Sequence, residues 1–273
     1  MLLRYKYLVL FLIFCSNPVS AELVFTAPPR ESKQAGEEQY GSLAEFFSQQ
    51  LGQPVKYEHP GNWLTYQSNM RAGKYDIVFD GPHFAAWRQV HLQHDMLVKL
   101  PGYLQFYLLA RAGDNKINTP DDLIGKKICG ISPPNLSTLS MLAIYSNPVR
   151  QPIIKGIKGG MGKVHKAFVS GKCEAMVLRT AFYNKKLKPE QREKLKIIYT
   201  TERMPQQVIS AGNRISRAEK QKLQNYLLKS QKGQKALTPT LKRFGGKAKS
   251  FIRASNEEYQ GYNMLLEGVI FGW

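Results

Sequence analysis

Three hydroxyl side chains follow a pair of prolines near the middle of the chain, at Ser137, Thr138 and Ser140. The spacing of apolar residues predicts a helix over Ser137–Tyr145. The first turn of such a helix offers unpaired backbone N–H groups and a positive dipole end, which suit a tetrahedral oxyanion. Serine and threonine are also common helix caps, so an ordinary helix start is the alternative interpretation.

Two charged residues come directly after segments that are predicted to be strands. Arg179 follows Val177-Leu178, and Asp80 follows Tyr75–Phe79. The carboxyl ends of strands in an open α/β sheet border the ligand crevice, and a guanidinium there can bind an oxyanion through two hydrogen bonds. A carboxylate would repel an anion unless the ligand carries a proton or an amine, or unless Asp80 pairs with Arg179 or Arg30. The alternative for Arg179 is a surface arginine.

The composition indicates a globular chain. It has 273 residues, of which 43% are hydrophobic and 22% charged, and three are cysteines. A disordered chain would be less apolar, and a small disulfide scaffold would be richer in cysteine. No apolar run reaches the roughly 18–20 residues that cross a bilayer, so a multispanning membrane protein is excluded. The length suits one large or two modest domains.

The first twenty-one residues resemble a secretion signal. A basic start precedes the apolar run Leu8–Cys15, and small side chains lead up to Ala21. We therefore expect cleavage after Ala21 and a periplasmic location. A lipoprotein signal that uses Cys15 and a retained signal anchor are the alternatives.

Positive charge is concentrated in the second half of the chain. Residues 22–149 contain 11 basic and 12 acidic residues, whereas residues 150–253 contain 26 basic and 5 acidic ones. Such a field would attract an anionic ligand, an acidic partner, an anionic membrane or nucleic acid. Export and the lack of interleaved aromatic residues argue against nucleic acid.

Strand and helix patterns alternate along the mature chain, which predicts mostly parallel sheets flanked by helices. The predicted strands are Leu23–Ala27, Val55–Tyr57, Tyr75–Phe79, Gln105–Ala110, Lys127–Ile131, Pro152–Ile157, Cys173–Leu178, Ile197–Tyr199 and Val208–Ala211. The predicted longer helices are Tyr40–Leu51, Leu64–Ala72, Phe84–Val90, Ser137–Tyr145, Val164–Val169, Pro189–Leu195, Ser216–Gln231 and Lys235–Phe244. If the strands that carry Cys129 and Cys173 are neighbours, a disulfide is possible; the alternative is two buried thiols.

Four segments, in this order and spacing, resemble type II periplasmic solute-binding proteins. They are Tyr75–Pro82, Gly102–Arg111, Ser132–Ser140 and Ala167–Val177. More narrowly, they are similar to the phosphate, phosphite and phosphonate-binding subgroup of ABC transporter receptors. The resemblance covers nearly all of the mature chain.

The resemblance implies a two-lobed α/β fold with a ligand cleft between the lobes. Lobe one would comprise residues 22–102 and 206–273, and lobe two residues 103–205, with hinges near Gly102–Gln105 and Met204–Gln207. It further implies a monomeric, non-enzymatic receptor without a cofactor, which captures a small oxyanion and delivers it to an ABC permease. Binding between hinged lobes would favour the closed state.

Three more candidates for the ligand site follow from the resemblance. Trp63 lies where the family often places an aromatic wall, although a core position is the alternative. Tyr103, in the hinge, would donate a hydroxyl or pack the hinge. His83 begins a helix just after Gly81-Pro82 and would lie close to a ligand in the cleft.

The chain also departs from the family's pattern. The position of Asp80 is commonly aromatic or small, Gly160-Met161-Gly162 replaces a stretch that often contains a histidine, and Leu139-Ser140 lacks the usual Ser-Gly. The ligand therefore stays open among phosphate, phosphite, phosphonates, organic phosphates and other oxyanions.

Three other functions are alternatives to this hypothesis: an enzyme, a metal-binding receptor and a sensor. The sequence contains no GxSxG, HExxH or P-loop motif, which argues against an enzyme. A metal-binding receptor would use His91, His94, His59, His83 and Asp80. A sensor that presents its closed form to a membrane histidine kinase would share the same fold.

Overall fold

The computed structural model describes residues 22–267. The predicted signal peptide, Met1–Ala21, and the end of predicted lobe one, 268–273, lie outside the described residues. The strands are β1 (Leu23–Thr26), β2 (Val55–Tyr57), β3 (Ile77–Asp80), β4 (Asp95–Lys99), β5 (Tyr103–Leu104), β6 (Phe106–Arg111), β7 (Lys127–Ile131), β8 (Ile153–Ile157), β9 (Ala175–Arg179), β10 (Leu195–Thr200), β11 (Met204–Pro205), β12 (Val208–Ala211) and β13 (Ile252–Arg253). The α-helices are α1 (Lys33–Leu51), α2 (Trp63–Arg71), α3 (Pro82–Leu92), α4 (Leu136–Leu142), α5 (Met161–Val169), α6 (Thr180–Lys186), α7 (Pro189–Glu193), α8 (Arg217–Lys229) and α9 (Gln231–Phe244).

The first sheet has six strands in the order β13-β4-β12-β3-β1-β2. β1 pairs in parallel with β2 and β3, whereas β12 is antiparallel to both of its neighbours, β3 and β4. The late strand β12 therefore completes a sheet that the first part of the chain begins. An apolar core of aromatic and aliphatic side chains, among them Phe25, Phe47 and Phe79, joins this sheet to α1, α8 and α9.

The second sheet has five strands in the order β10-β6-β9-β7-β8. β7 lies parallel to β8 and β9, while β6 is antiparallel to β9 and β10. All of its strands come from one continuous stretch of chain, 106–200. The predicted α/β sheets with parallel strands are confirmed, and each sheet also contains an antiparallel strand beside its parallel ones, β12 in the first and β6 in the second.

The two short strands β5 and β11 form a separate two-stranded ladder, with Met204 opposite Leu104 and Pro205 opposite Tyr103. The chain passes through this ladder between its two larger sheets. The positions agree with the predicted hinges. The exact lobe boundaries, 102/103 and 205/206, stay a prediction.

Cys129 and Cys173 form a disulfide, with their Cα atoms 5.6 Å apart. Cys129 is in β7 and Cys173 is two residues before β9. Both are buried in the apolar core between the second sheet and α5, next to Phe168.

The last described residues, 254–267, form a segment that we call the C-terminal strap. It packs on α3 and also reaches α4. Tyr259 donates its hydroxyl to the carbonyl oxygen of Gln206 at 2.8 Å. Leu266 is buried in an apolar cluster that contains Phe84 of α3 and Leu139 of α4. The strap therefore links a helix of the first sheet with a helix of the second.

Within residues 22–267, no helix has both the length and the apolar character needed to cross a membrane.

Candidate functional site

The carboxyl ends of the central parallel strands of the two sheets lie on the two sides of one interface. Asp80 ends β3, and Arg30 lies in the loop after the neighbouring strand β1. Across the interface, Arg179 ends β9, and Pro134 lies in the loop after the neighbouring strand β7. The imidazole Nε2 of His83 is 3.1 Å from the carbonyl oxygen of Pro134, which brings the two edges into contact.

Arg179 is a cation that has lost much of its water. Burial lowers the pKa of its guanidinium from the ordinary value. Its Nε atom is buried and has no hydrogen-bond partner among the described residues. The main chain holds the residue in place, because the N–H of Thr180 donates to the carbonyl oxygen of Gln105 at 2.9 Å. A desolvated, unpaired guanidinium is costly unless it meets an anion.

Arg30 is the second guanidinium at this interface. Its Nη1 atom is buried and has no partner within residues 22–267, and its positive charge acts through space on both Asp80 and His83. The guanidinium carbon also lies 5.6 Å from the ring centre of Phe244. Sequence reasoning considered Arg30 only as a partner for Asp80, because the residue lies in a loop without a recognisable motif.

The predicted partners of Asp80 were wrong. Its carboxylate accepts hydrogen bonds at Oδ2 from the guanidinium of Arg88 and, at 2.8 Å, from the hydroxyl of Tyr66. All three side chains are completely buried. Burial raises the pKa of Asp80, and both Arg88 and Tyr66 oppose the rise. Arg88 takes this place because Asp80 faces α2 and α3. The signal for it was a single arginine on the buried face of α3, four residues after Phe84.

His83 is almost completely buried in the first turn of α3. Burial lowers the pKa of its imidazole to about 3, and the cations Arg30 and Arg88 contribute to the lowering. The side chain is therefore neutral at neutral pH. Its Nδ1 atom is buried, and no described residue donates to it.

The three predicted hydroxyls lie at the start of α4, on the same interface. Asn135 caps the helix by accepting from the N–H of Ser137 at 3.1 Å. Each hydroxyl already has an acceptor: Ser137 donates to Asn135 Oδ1, Thr138 to the carbonyl oxygen of Ile131, and Ser140 to that of Ser137. Because each O–H already donates within the protein, only the oxygen lone pairs of these hydroxyls are left to interact with a ligand. Their assignment to the ligand site stays a prediction.

The two predicted aromatic residues have different surroundings. Trp63 is half-buried at the start of α2 and stacks on Phe84, with ring centres 6.1 Å apart. The Phe84 ring in turn lies 4.1 Å from the ring centre of His83, and the place of Trp63 in the ligand site stays a prediction. Tyr103 is 44% exposed, and its ring lies 4.4 Å from the guanidinium carbon of Arg203. The assignment of Tyr103 to the ligand site stays a prediction.

The proposed metal ligands do not come together. His91 contacts Glu267, His94 contacts Ser210, and His59 contacts the carbonyl oxygen of Glu31. In the described part of the chain, no three His, Cys, Asp or Glu side chains are grouped to hold a metal ion.

The interface has an excess of positive charge. Arg30, Arg88 and Arg179 bring three guanidinium groups, Asp80 brings one carboxylate, and His83 is neutral. An anion between the two edges would reduce this excess. The arrangement suits binding of an oxyanion better than catalysis, because the groups supply charge and hydrogen bonds without an activated nucleophile.

Comparisons with known proteins point in the same direction. Residues 25–259 match the family model of ABC transporter, phosphonate, periplasmic substrate-binding proteins. The phosphate-import protein PhnD of Mycolicibacterium smegmatis is 25% identical, and the match covers 70% of this chain and 66% of that protein, just under two thirds of its length.

Solved structures share the fold. A Xanthomonas citri protein bound to ATP has a TM-score of 0.69 at 14% identity, with 91% of this chain and 98% of that chain covered. PhnD1 from Prochlorococcus marinus, in complex with methylphosphonate, has a TM-score of 0.59 at 18% identity, with 89% and 96% covered. The predicted two-lobed α/β fold is confirmed.

Proposed function

We propose that this chain, which belongs to the family of periplasmic substrate-binding proteins of ABC phosphonate transporters, captures a small phosphorus oxyanion for an importer. The oxyanion is of the phosphate, phosphite or phosphonate type. The family consists of substrate-binding transport proteins, not enzymes. The ligand lies between the carboxyl edges of the two sheets, where it is held by Arg179 and Arg30.

This proposal depends on one observation, the burial of the Arg179 guanidinium without a countercharge among the described residues. Its guanidinium is desolvated and its Nε has no protein partner among the described residues. A bound oxyanion would supply both the missing countercharge and the missing acceptor. The cost of leaving this cation unpaired in an empty closed form favours opening, so ligand binding would close the lobes.

The wider setting is part of the same proposal. The protein is exported through cleavage after Ala21, acts as a monomer in the periplasm, does not bind nucleic acid, and docks on an ABC permease. Lobe one consists of residues 22–102 and 206–273, and lobe two of residues 103–205. The membrane importer follows from the family, and the composition of the two sheets supports the lobe boundaries.

Calorimetry with phosphate, phosphite, methylphosphonate and an aminoalkylphosphonate tests the proposal. We expect one site per chain for at least one of them, with a dissociation constant on the order of micromolar or tighter. Absence of binding for all four ligands would overturn it. Native mass spectrometry of the protein as purified reveals any ligand that it retains.

The substitution Arg179→Met tests the site itself. Removing a charged donor to a buried anion should weaken binding on the order of 10- to 100-fold. Arg150→Met is the matched control, because Arg150 is exposed and its loss removes the same charge from the same basic half of the chain. Equal losses in both variants would show that only the overall field matters and would contradict the assignment.

A further inference from the structure

The imidazole of His83 has a defined tautomer. A backbone carbonyl oxygen only accepts hydrogen bonds, so the contact of Nε2 with Pro134 at 3.1 Å requires the proton to be on Nε2. The side chain is neutral, since its burial and the charges of Arg30 and Arg88 oppose a second proton. Nδ1 is consequently a lone-pair acceptor that cannot donate.

This acceptor lies at the carboxyl edge of the first sheet. A Cβ atom on Gly81 would come within 3.2 Å of Nδ1, so the ring lies directly over the glycine turn that follows β3. Nδ1 is buried without a donor among residues 22–267, and the Oδ1 atom of the neighbouring Asp80 is in the same condition. Two buried acceptors near the carboxyl end of β3 therefore lack hydrogen-bond donors among these residues.

Among the described residues, none of the charged groups around His83 donates a hydrogen bond to its Nδ1. The charges that act on it are those of Arg30 in the loop after β1 and Arg88 on α3, and both cations also act on Asp80 at the end of β3. Arg88 donates to Oδ2 of Asp80, which leaves Oδ1 free. A ligand that brought only lone pairs would face these acceptors without any compensating hydrogen bond.

We propose that His83 is a specificity-determining residue of the cleft, whose Nδ1 selects an oxyanion that still carries a proton. The inference rests on the proposed function and narrows its substrate class to singly protonated phosphate, phosphite or phosphonate. The P–OH group donates to Nδ1, while the remaining oxygens accept from Arg30 and Arg179. Sulfate, which has a similar tetrahedral shape but no proton at neutral pH, is rejected.

Calorimetry on the wild-type chain is the first test. Sulfate should bind on the order of 100-fold more weakly than the best phosphorus oxyanion at neutral pH. Raising the pH through the second ionisation of methylphosphonate should weaken its binding about tenfold per pH unit, because the protonated form becomes scarce. Equal affinity for sulfate and a flat pH profile would overturn the inference and leave the proposed function intact. Failure of every oxyanion to bind would overturn both.

His83→Phe gives the second test. This variant removes the acceptor and should reduce the preference for phosphorus oxyanions over sulfate to less than about tenfold. His91→Gln is the control, because His91 is exposed and contacts Glu267 at a distance from the cleft, and it should retain the wild-type ratio. If His83→Phe retains the wild-type ratio as well, His83 does not determine specificity. Should this variant not fold, the wild-type sulfate and pH measurements still decide the question.

Discussion

At the level of single residues, the interface is governed by buried neutral and charged side chains that hydrogen-bond to one another. Asp80, Arg88 and Tyr66 satisfy one another in part. His83 and His94 are buried histidines that stay neutral, and burial is the main cause of the lowered pKa of each. Such groups make the stability of the fold depend on pH.

The free energy of unfolding should fall as the pH is lowered below about 6.5, the ordinary histidine value. The folded pKa of His83 is about 3, so between these values the unfolded chain binds a proton that the folded chain does not. His83 alone should account for a loss of about 3 kcal/mol by about pH 4. Urea denaturation of the wild type and His83→Phe at several pH values measures it.

The comparison with the variant is needed because burial raises the pKa of Asp76 and Asp80. Each of these carboxyl groups opposes the histidine effect, since a raised folded pKa favours the folded state as the pH falls. His83→Phe retains both carboxyl groups, so its pH dependence should be shallower on the acid side. Parallel curves for the two proteins would contradict the prediction.

The sequence predicts the position of a residue when the signal is local, but it does not predict a side-chain partner that depends on how elements pack. The positions of Arg179 and Asp80 at strand ends were predicted because the carboxyl end of a strand is a local signal. Arg88 was missed as the partner of Asp80, because the pairing depends on the direction in which α3 leaves the sheet. A helix that carries the three hydroxyls was predicted near Ser137, but the hydrogen bonds that these hydroxyls donate depend on the fold of residues 131–137.

At the scale of elements, β7 and β12 have the bounds that the sequence predicts, because each is a short apolar run between polar or glycine-containing segments. β4 was not predicted. It follows α3 after only two residues, one of them Gln93 with φ of 54°, and charged residues occupy both its ends. α6 was missed because it begins immediately after β9.

The disulfide between Cys129 and Cys173 should stabilise the second sheet against unfolding. It joins residues 44 positions apart, and closing a loop of that length in the unfolded chain should contribute about 4 kcal/mol. The double substitution Cys129→Ser and Cys173→Ser should lose this amount in urea denaturation. The wild type with a thiol reductant is the control and should match the variant. A loss of less than about 1 kcal/mol would contradict the prediction.

In the whole molecule as described, residues 22–267, three segments connect the two sheets. Two of them form the ladder of β5 and β11, and the third is the C-terminal strap, whose tail the sequence left without a pattern. Leu266 of the strap is only 3% exposed, in a cluster that includes Leu139 of α4. The strap thus favours the form in which α3 and α4 are close.

Leu266→Ala should therefore shift the ligand-free protein toward a more open form, because it removes apolar contacts that exist only when both helices approach. Small-angle X-ray scattering should show a larger radius of gyration without ligand and the wild-type value with saturating ligand. Met264→Ala is the matched control, since Met264 is in the same strap but 64% exposed. The same radius for all three ligand-free proteins would contradict the prediction.

The position of β12 has a consequence for how the molecule is made. Until residues 208–211 have left the ribosome, β3 lacks one neighbour and β4 lacks the strand that joins it to the rest of its sheet. The five-stranded sheet needs nothing beyond residue 200 and can be finished earlier. A nascent chain can therefore carry a completed five-stranded sheet beside an incomplete six-stranded sheet. The sheet that the N-terminal residues begin is the last to gain all of its strands.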